Sequence, residues 1–151
     1  VKDGGVALAH VSEEITAMIA SGPDALGEQR QALGAALEHV GAMIGAMTGD
    51  FTASDPRSGG DITNIYKVGQ QTTRLLLAAG DVVIAWLLLR EAAVALEALE
   101  NGADPHDRDF YTGKVASAKF FVANVLPRLS SDRAIVEATD NSLMEIPEGA
   151  F

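Results

Sequence analysis

"LLLAAGDVVIAWLLLR", Leu75 to Arg90, carries a single charge, Asp81, before its closing arginine. A bilayer span needs about 20 consecutive apolar residues, and an acid at the middle of a span is costly. The run is too short, has its acid near the centre and is flanked by ordinary charged helix, so it is not expected to cross a membrane. Apolar residues surround nearly the whole circumference from Leu75 to Leu89. More than one neighbour must cover such a helix, which makes it the central element of a helical bundle or one shared with a partner.

Outward from this stretch, no proline occurs between Asp61 and Glu100. A continuous helix of that length would span roughly 60 Å at 1.5 Å rise per residue. Gly69 and Gly80 lie inside it, each costing about 1 kcal/mol relative to alanine. Close approach of a neighbouring helix is expected to offset them. "NGADP" should end the helix, with Gly102 as its cap.

Upstream, Leu8, Val11, Ile15, Met18 and Ile19 recur at helical spacing, and "SGP" at Ser21–Pro23 should break that element. Leu26, Leu33, Leu37, Val40, Ile44 and Met47 form a heptad-like seam with Arg30 its one polar intrusion, and Gly49 is expected to end it. "FTASDPRSGG" reads as a loop in which Ser58 caps the long helix after it. Downstream, a helix is expected to begin between Asp104 and Asp109 and run through "FYTGKVASAKFFVANVLPRL", with Pro127 kinking or ending it and a short helix restarting near Ser131. The closing "NSLMEIPEGAF" is non-helical in pattern, yet its Leu143, Met144, Ile146 and Phe151 suggest a tail that docks. The expected fold class is all-α: an antiparallel bundle of about four long helices, one central helix of unusual length, and a non-helical C-terminal tail.

Composition narrows the chemistry. In 151 residues, hydrophobic side chains make up 48% and aromatics only 5%, so Ala, Leu, Val and Gly must fill the interior. The net charge of -10 argues against a nucleic-acid partner, which calls for a cationic surface, and against anionic lipid. The absence of cysteine removes disulfides, thiolate metal sites and a cysteine nucleophile together, and fits a reducing cytoplasm. "VKDGGVALAH" has no long apolar core and does not read as a signal peptide, and it lacks an initiator Met, as expected of a chain cut from something longer or processed.

His10, His39 and His106 fall in three different expected elements, with no Glu-x-x-His pair among them. His10 and Glu14 are one turn apart and read as an exposed pair. Gly113–Lys114 lacks the P-loop spacing, Gly4–Gly5 and Gly59–Gly60 are turns, and no G-x-S-x-G elbow occurs. Asp81 is the one carboxylate in an apolar helix, where a base or buried ligand is conceivable. Pairing is the commoner fate of such a group, with Arg74 and Arg90 its nearest candidates. Phe110, Tyr111, Phe120 and Phe121 could line a ligand slot, but core packing of the last helix accounts for them as well and is the expected reading. No catalytic, cofactor-binding or metal-binding residue is expected.

Three features in order resemble the C-terminal region of the long bacterial acyl-CoA dehydrogenases: the "WLLLREAA" segment at Trp86, "FYTGK" at Phe110–Lys114 leading into "AKFFVANVLPR", and the closing "SLMEIPEGAF". "VKDGGVALAHVSEEI" is similar to the linker and first helix that follow the catalytic domain there. The resemblance implies an FAD enzyme that removes a hydride and a proton from the α and β carbons of an acyl-CoA thioester, in fatty acid β-oxidation, and passes the electrons to an electron-transferring flavoprotein. It also implies that the catalytic glutamate and most flavin contacts lie upstream. Residues 1–151 would then be one accessory C-terminal domain, cytoplasmic, inactive alone and without FAD of its own. Its partners would be the remaining domains of the parent enzyme or a second copy in a homo-oligomer. Trp86, Leu87, Phe120, Phe121 and Phe151 are its candidate interface residues. The alternative is an independent helical module that binds a partner helix or a small apolar ligand.

Overall fold

The computed structural model describes residues 5–150, and the Phe151 interface expectation falls outside them. Five α-helices and no strand occur among the described residues: α1 (Val6–Ser21), α2 (Gly27–Ala53), α3 (Asn64–Glu100), α4 (Pro105–Val125) and α5 (Leu129–Glu137). The all-α class, the four long helices and the exceptional length of α3, 37 residues, agree with the sequence reading.

Each break has a local cause. α1 ends at Ser21, where Pro23 cannot continue the ladder, and Gly22 donates back to Met18 O at 3.0 Å. α3 closes through Gly102, in the left-handed region at φ 82°, while Ala103 N–H bonds Ala98 O, a Schellman-type end. Asp104 then caps α4 by accepting from His106 N–H, with Pro105 in the first turn where no backbone donor is needed. Pro127 falls in a 3₁₀ turn, Leu126–Arg128, that separates α4 from α5.

Two boundaries differ from expectation. α2 continues past Gly49 to Ala53, because a glycine inside a helix weakens it without forcing an end. Ser58 does not cap α3. Its hydroxyl donates to Asp55 O within the turn Pro56–Ser58, and Asp61 instead accepts from Thr63 N–H just before the helix begins.

The chain divides into two compact units. The first contains α1, α2 up to Leu37, and Asp81–Pro127. Its helices run as antiparallel neighbours: Arg30 reaches Ile19 O at 3.1 Å across the α1–α2 turn, and Lys114 reaches Glu91 at 2.8 Å across the α3–α4 turn. The core is Ile15, Leu26, Leu33, Val82, Leu89, Val122 and Leu126, interleaved with buried Ala36, Ala85, Ala92, Ala95 and Ala118. Alanines at those positions let helix backbones come close, which explains an interior with so few aromatics.

The second unit contains Glu38–Gly80 and the chain from Arg128 onward. Its core is Val40, Met43, Met47, Ala78, Leu129 and Val136. Lys67 pairs with Asp50 at 3.6 Å, Arg74 pairs with Asp132, and Gln70 donates to Asp140 O. Among the tail residues, Leu143, Met144 and Ile146 remain exposed, so these three side chains do not dock as expected, although Asn141 at the start of the tail donates to the Thr63 hydroxyl at 3.3 Å. Two 3₁₀ turns, Ser142–Glu145 and Glu148–Ala150, interrupt an otherwise irregular tail.

The buried row of α2 is Leu33, Ala36, Val40, Met43 and Met47. It matches the predicted seam except that Ala36 and Met43 take the places assigned to Leu37 and Ile44, which are half-buried one position around the helix. Leu8, expected on the inner face of α1, is exposed. The exception at Arg30 is explained: its guanidinium caps the α1 carbonyl of Ile19 and pairs with Asp24 at 3.6 Å.

Candidate functional site

The central helix α3 is expected from its sequence to be covered all round, and it is not. In the first unit its inner row, Val82, Ala85, Leu89, Ala92 and Ala95, is sealed, whereas Ile84, Leu87 and Val94 stand exposed. Spacings of three and seven residues put those apolar side chains on one outward face. On α4, Phe110 and Phe120 are 60% and 69% exposed, so core packing does not account for them. Tyr111 and Phe121, one position further round, are half-buried.

Between these faces of α3 and α4 lies a groove of about 470 Å³. Leu87, Val94 and Ala95 line it from α3, and Phe110 and Tyr111 from α4. The two rings meet edge to face, centres 5.6 Å apart at 66°, in the preferred geometry for an aromatic pair. Charge enters at two places. Lys114 Nζ lies 2.8 Å from Glu91 Oε2 and 5.5 Å from the centre of the Phe110 ring, so its charge is matched on the spot. Arg90 lies 5.1 Å above the Trp86 ring, a cation–π contact one helical turn apart. Arg90 lines this groove and also a smaller hollow, about 330 Å³, bordered by Met18, Gly22, Pro23 and Trp86. Of the four aromatics expected from the sequence to pack in the core, with a ligand slot as the alternative, Phe110 and Tyr111 line the groove and Phe120 and Phe121 do not. The sequence does not reveal Arg90 and Lys114 as members of the same groove, because their convergence depends on the antiparallel packing of α3 against α4.

Of the arginines expected as partners of Asp81, Arg74 is paired with Asp132, and Arg90 lies over Trp86. Asp81 itself is half-buried. His10 and His106 are exposed and His39 is half-buried, on α1, α4 and α2 respectively. Among the described residues no group of three or more His, Asp or Glu could hold a metal ion, and no helix is long and apolar enough to cross a membrane. Of the interface candidates, Leu87 and Phe120 are exposed, while Trp86 and Phe121 offer only part of their surface.

The perturbed carboxylates lie in turns of the second unit. Asp55 sits below its ordinary value because Arg57 binds it through its guanidinium and its backbone N–H. Asp61 is lowered by the Thr63 backbone N–H and then its hydroxyl, and Asp140 by the Ser142 hydroxyl and then its N–H. All three hold turns together rather than handling protons.

A family profile described as acetyl-CoA dehydrogenase C-terminal like matches residues 11–147. The whole chain is 46% identical to 24% of the broad-specificity linear acyl-CoA dehydrogenase FadE5 of Mycobacterium tuberculosis. About half of it, 52%, is 39% identical to 13% of a butyryl-CoA dehydrogenase of Syntrophomonas wolfei. The chain thus spans about a quarter of the length of the first of these relatives and less of the second.

Proposed function

The chain belongs to the acetyl-CoA dehydrogenase C-terminal-like family, and from that premise we propose that it is the terminal helical domain of an FAD-dependent acyl-CoA dehydrogenase. In this reading residues 1–151 are a single accessory domain, and the α,β-dehydrogenation of acyl-CoA thioesters takes place in polypeptide that precedes it. The observation that carries the reading is the combination of full-length similarity on this side, 46% over the whole chain, with coverage of only 24% of the relative.

The residues present do not fit the cofactor. A dinucleotide pyrophosphate calls for free backbone N–H groups at a glycine-rich turn or a helix start. The walls of the α3–α4 groove are mid-helix, where those groups are already bonded along the helix. No flavin step is therefore assigned to these side chains. Their role is to present surface. Leu87 and Phe120 are exposed apolar positions on adjacent helices, with the outer edges of Trp86 and Phe121 beside them. Contiguous exposed apolar surface marks an interaction site. The remaining domains of the parent or a second copy of the chain would cover it, and Phe151 would join it. Electron transfer to a flavoprotein partner and a cytoplasmic location belong to the same reading.

Purified alone, the 151-residue chain is expected to be colourless, to release no flavin on denaturation and to oxidise no acyl-CoA. It is also expected to self-associate in sedimentation at high concentration. A yellow preparation of the isolated chain would overturn the reading. So would a gene whose start codon lies next to Val1 in place of an open frame running upstream.

A further inference from the structure

We propose that Asn101–Gly102, the turn that closes α3, is a site of spontaneous covalent modification, at which the Gly102 amide nitrogen attacks the Asn101 carboxamide and ammonia is lost. Both residues are exposed and lie in the first unit. The assignment rests on the turn itself and does not depend on the dehydrogenase reading. In the step, the Gly102 nitrogen bonds to Asn101 Cγ and the Cγ–Nδ2 bond breaks. The Gly102 amide proton passes to solvent base, and a proton returned to the departing nitrogen lets it leave as ammonia. Water then opens the cyclic imide at one of its two carbonyls. Attack at Cγ gives aspartate, and attack at the Asn101 main-chain carbonyl gives isoaspartate. Water is the one co-reactant consumed.

The attack needs an unhindered, loosely held nitrogen beside a carboxamide with no other partner. Four asparagines occur in the chain, and Asn101 alone among the described residues meets both conditions. The carboxamides of Asn64, Asn124 and Asn141 donate to Ala53 O, Phe120 O and the Thr63 hydroxyl. The nitrogens that follow Asn64 and Asn124 belong to β-branched Ile65 and Val125, inside α3 and α4. Ser142 N–H, after Asn141, is held by the Asp140 carboxylate at 3.0 Å. Gly102 has no side chain to block approach. Its N–H reaches Leu99 O at 3.4 Å, against 3.0 Å for the turn bonds made by Asn101 and Ala103. The left-handed φ of 82° that ends α3 selects glycine at this position, so the signal that stops the helix also creates the labile pair. Helix ends open locally at little cost, which lets Asn101 leave its helical setting and bring Cγ to the nitrogen. Isoaspartate then adds a carbon to the main chain between Ala98 and Ala103, whose 3.0 Å bond closes the end of α3. Either product places a negative charge at the C-terminal end of a helix, where the dipole disfavours it. The modification therefore loosens the α3–α4 turn.

Incubation of the folded full-length polypeptide that carries the chain, in warm and mildly alkaline buffer, tests this by peptide mapping with mass spectrometry. The peptide containing Asn101 should gain the mass that accompanies conversion of an amide to an acid. An isoaspartyl methyltransferase should add methyl groups to the same peptide. Peptides containing Asn64, Asn124 and Asn141 should stay unchanged over that period. N101Q, whose longer side chain would have to close a larger and slower-forming ring, should lower methyl incorporation at least tenfold. Asn101 is exposed, so that variant should leave the helical circular dichroism unchanged. Modified protein, separated by ion exchange through its added charge, should exchange the Ala103 amide with deuterium at least tenfold faster than unmodified protein. Conversion of Asn101 in urea but not in the folded protein would overturn the site, because the native turn would then hold the pair apart. No conversion at all, equal conversion at Asn141, undiminished methyl incorporation in N101Q, or unchanged exchange at Ala103 would each overturn it as well.

Discussion

The guanidinium of Arg90 lies 5.1 Å from the centre of the Trp86 ring, four residues earlier on the same helix. Trp86 is the single tryptophan of the sequence, so this contact supplies an optical reporter confined to the middle of α3. Replacing Arg90 with alanine removes a half-exposed cation–π pair, worth about 0.5–1 kcal/mol. R90A is expected to shift the Trp86 emission and to lower stability by that amount, measured by urea unfolding followed by circular dichroism. An unchanged emission spectrum would show that the contact is not maintained in solution.

Leu89 and Val94 test which face of α3 is sealed. Leu89 is fully buried and Val94 is 64% exposed. L89A leaves a cavity among the helices of the first unit and should cost about 2–5 kcal/mol. V94A removes surface apolar area and should stay within about 0.5 kcal/mol. Thermal or urea unfolding of the two variants side by side decides the matter: similar losses would mean that Val94 is covered, by self-association or otherwise.

The difference between those two positions also marks how far the sequence is legible. Spacings of three and four locate every long helix, and the turn chemistry of Pro23, Gly102, Asp104 and Pro127 sets most boundaries. Periodicity fails around Leu75–Leu89. When a helix is apolar on all sides, the pattern no longer says which side faces inward. Residue size misleads as well. The buried rows run through Ala36, Ala85, Ala92 and Ala95, and bulkier Leu87 and Phe110 lie outside, since close helix approach selects small side chains. The groove itself is not written in any one segment. Arg90 and Lys114 come from separate helices, and only their packing brings both to Phe110 and Tyr111.

Asp55, Asp61 and Asp140 predict the behaviour of the second unit in acid. Each is held below the ordinary value of 3.8 by hydrogen bonds to its charged form: from the Arg57 side chain and N–H, from the Thr63 N–H and hydroxyl, and from the Ser142 hydroxyl and N–H. A carboxylate whose folded pKa is depressed stabilises the fold above its unfolded pKa, and that contribution is lost as pH falls through the folded pKa. Stability contributed by these turns should therefore be level near neutrality and decline only below pH 3.8. Amide chemical shifts of Arg57, Thr63 and Ser142, titrated by NMR, should move with midpoints below 3.8. Midpoints at or above it would mean that these caps are not formed.

Glycine substitutions should act in opposite directions within the second unit. Gly69 and Gly80 lie inside α3, and a Cβ added at either would meet nothing within 4 Å. The close helix approach expected to offset them is therefore missing, and their cost in backbone entropy stands. G69A and G80A should each raise stability by about 0.5–1 kcal/mol. Gly60 is different: its N–H bonds Asp55 O at 3.0 Å, and an added Cβ would lie 2.3 Å from the carbonyl oxygen of Ala53. That oxygen belongs to backbone and already accepts from the Asn64 side chain at the start of α3, so it cannot swing aside without loosening the α2–α3 turn. G60A should lower stability by more than about 1 kcal/mol, and urea unfolding of the three variants measures all of these effects at once. A gain in G60A would mean that the turn adopts another conformation. A loss in G80A would place a neighbour against α3 that this chain does not itself provide.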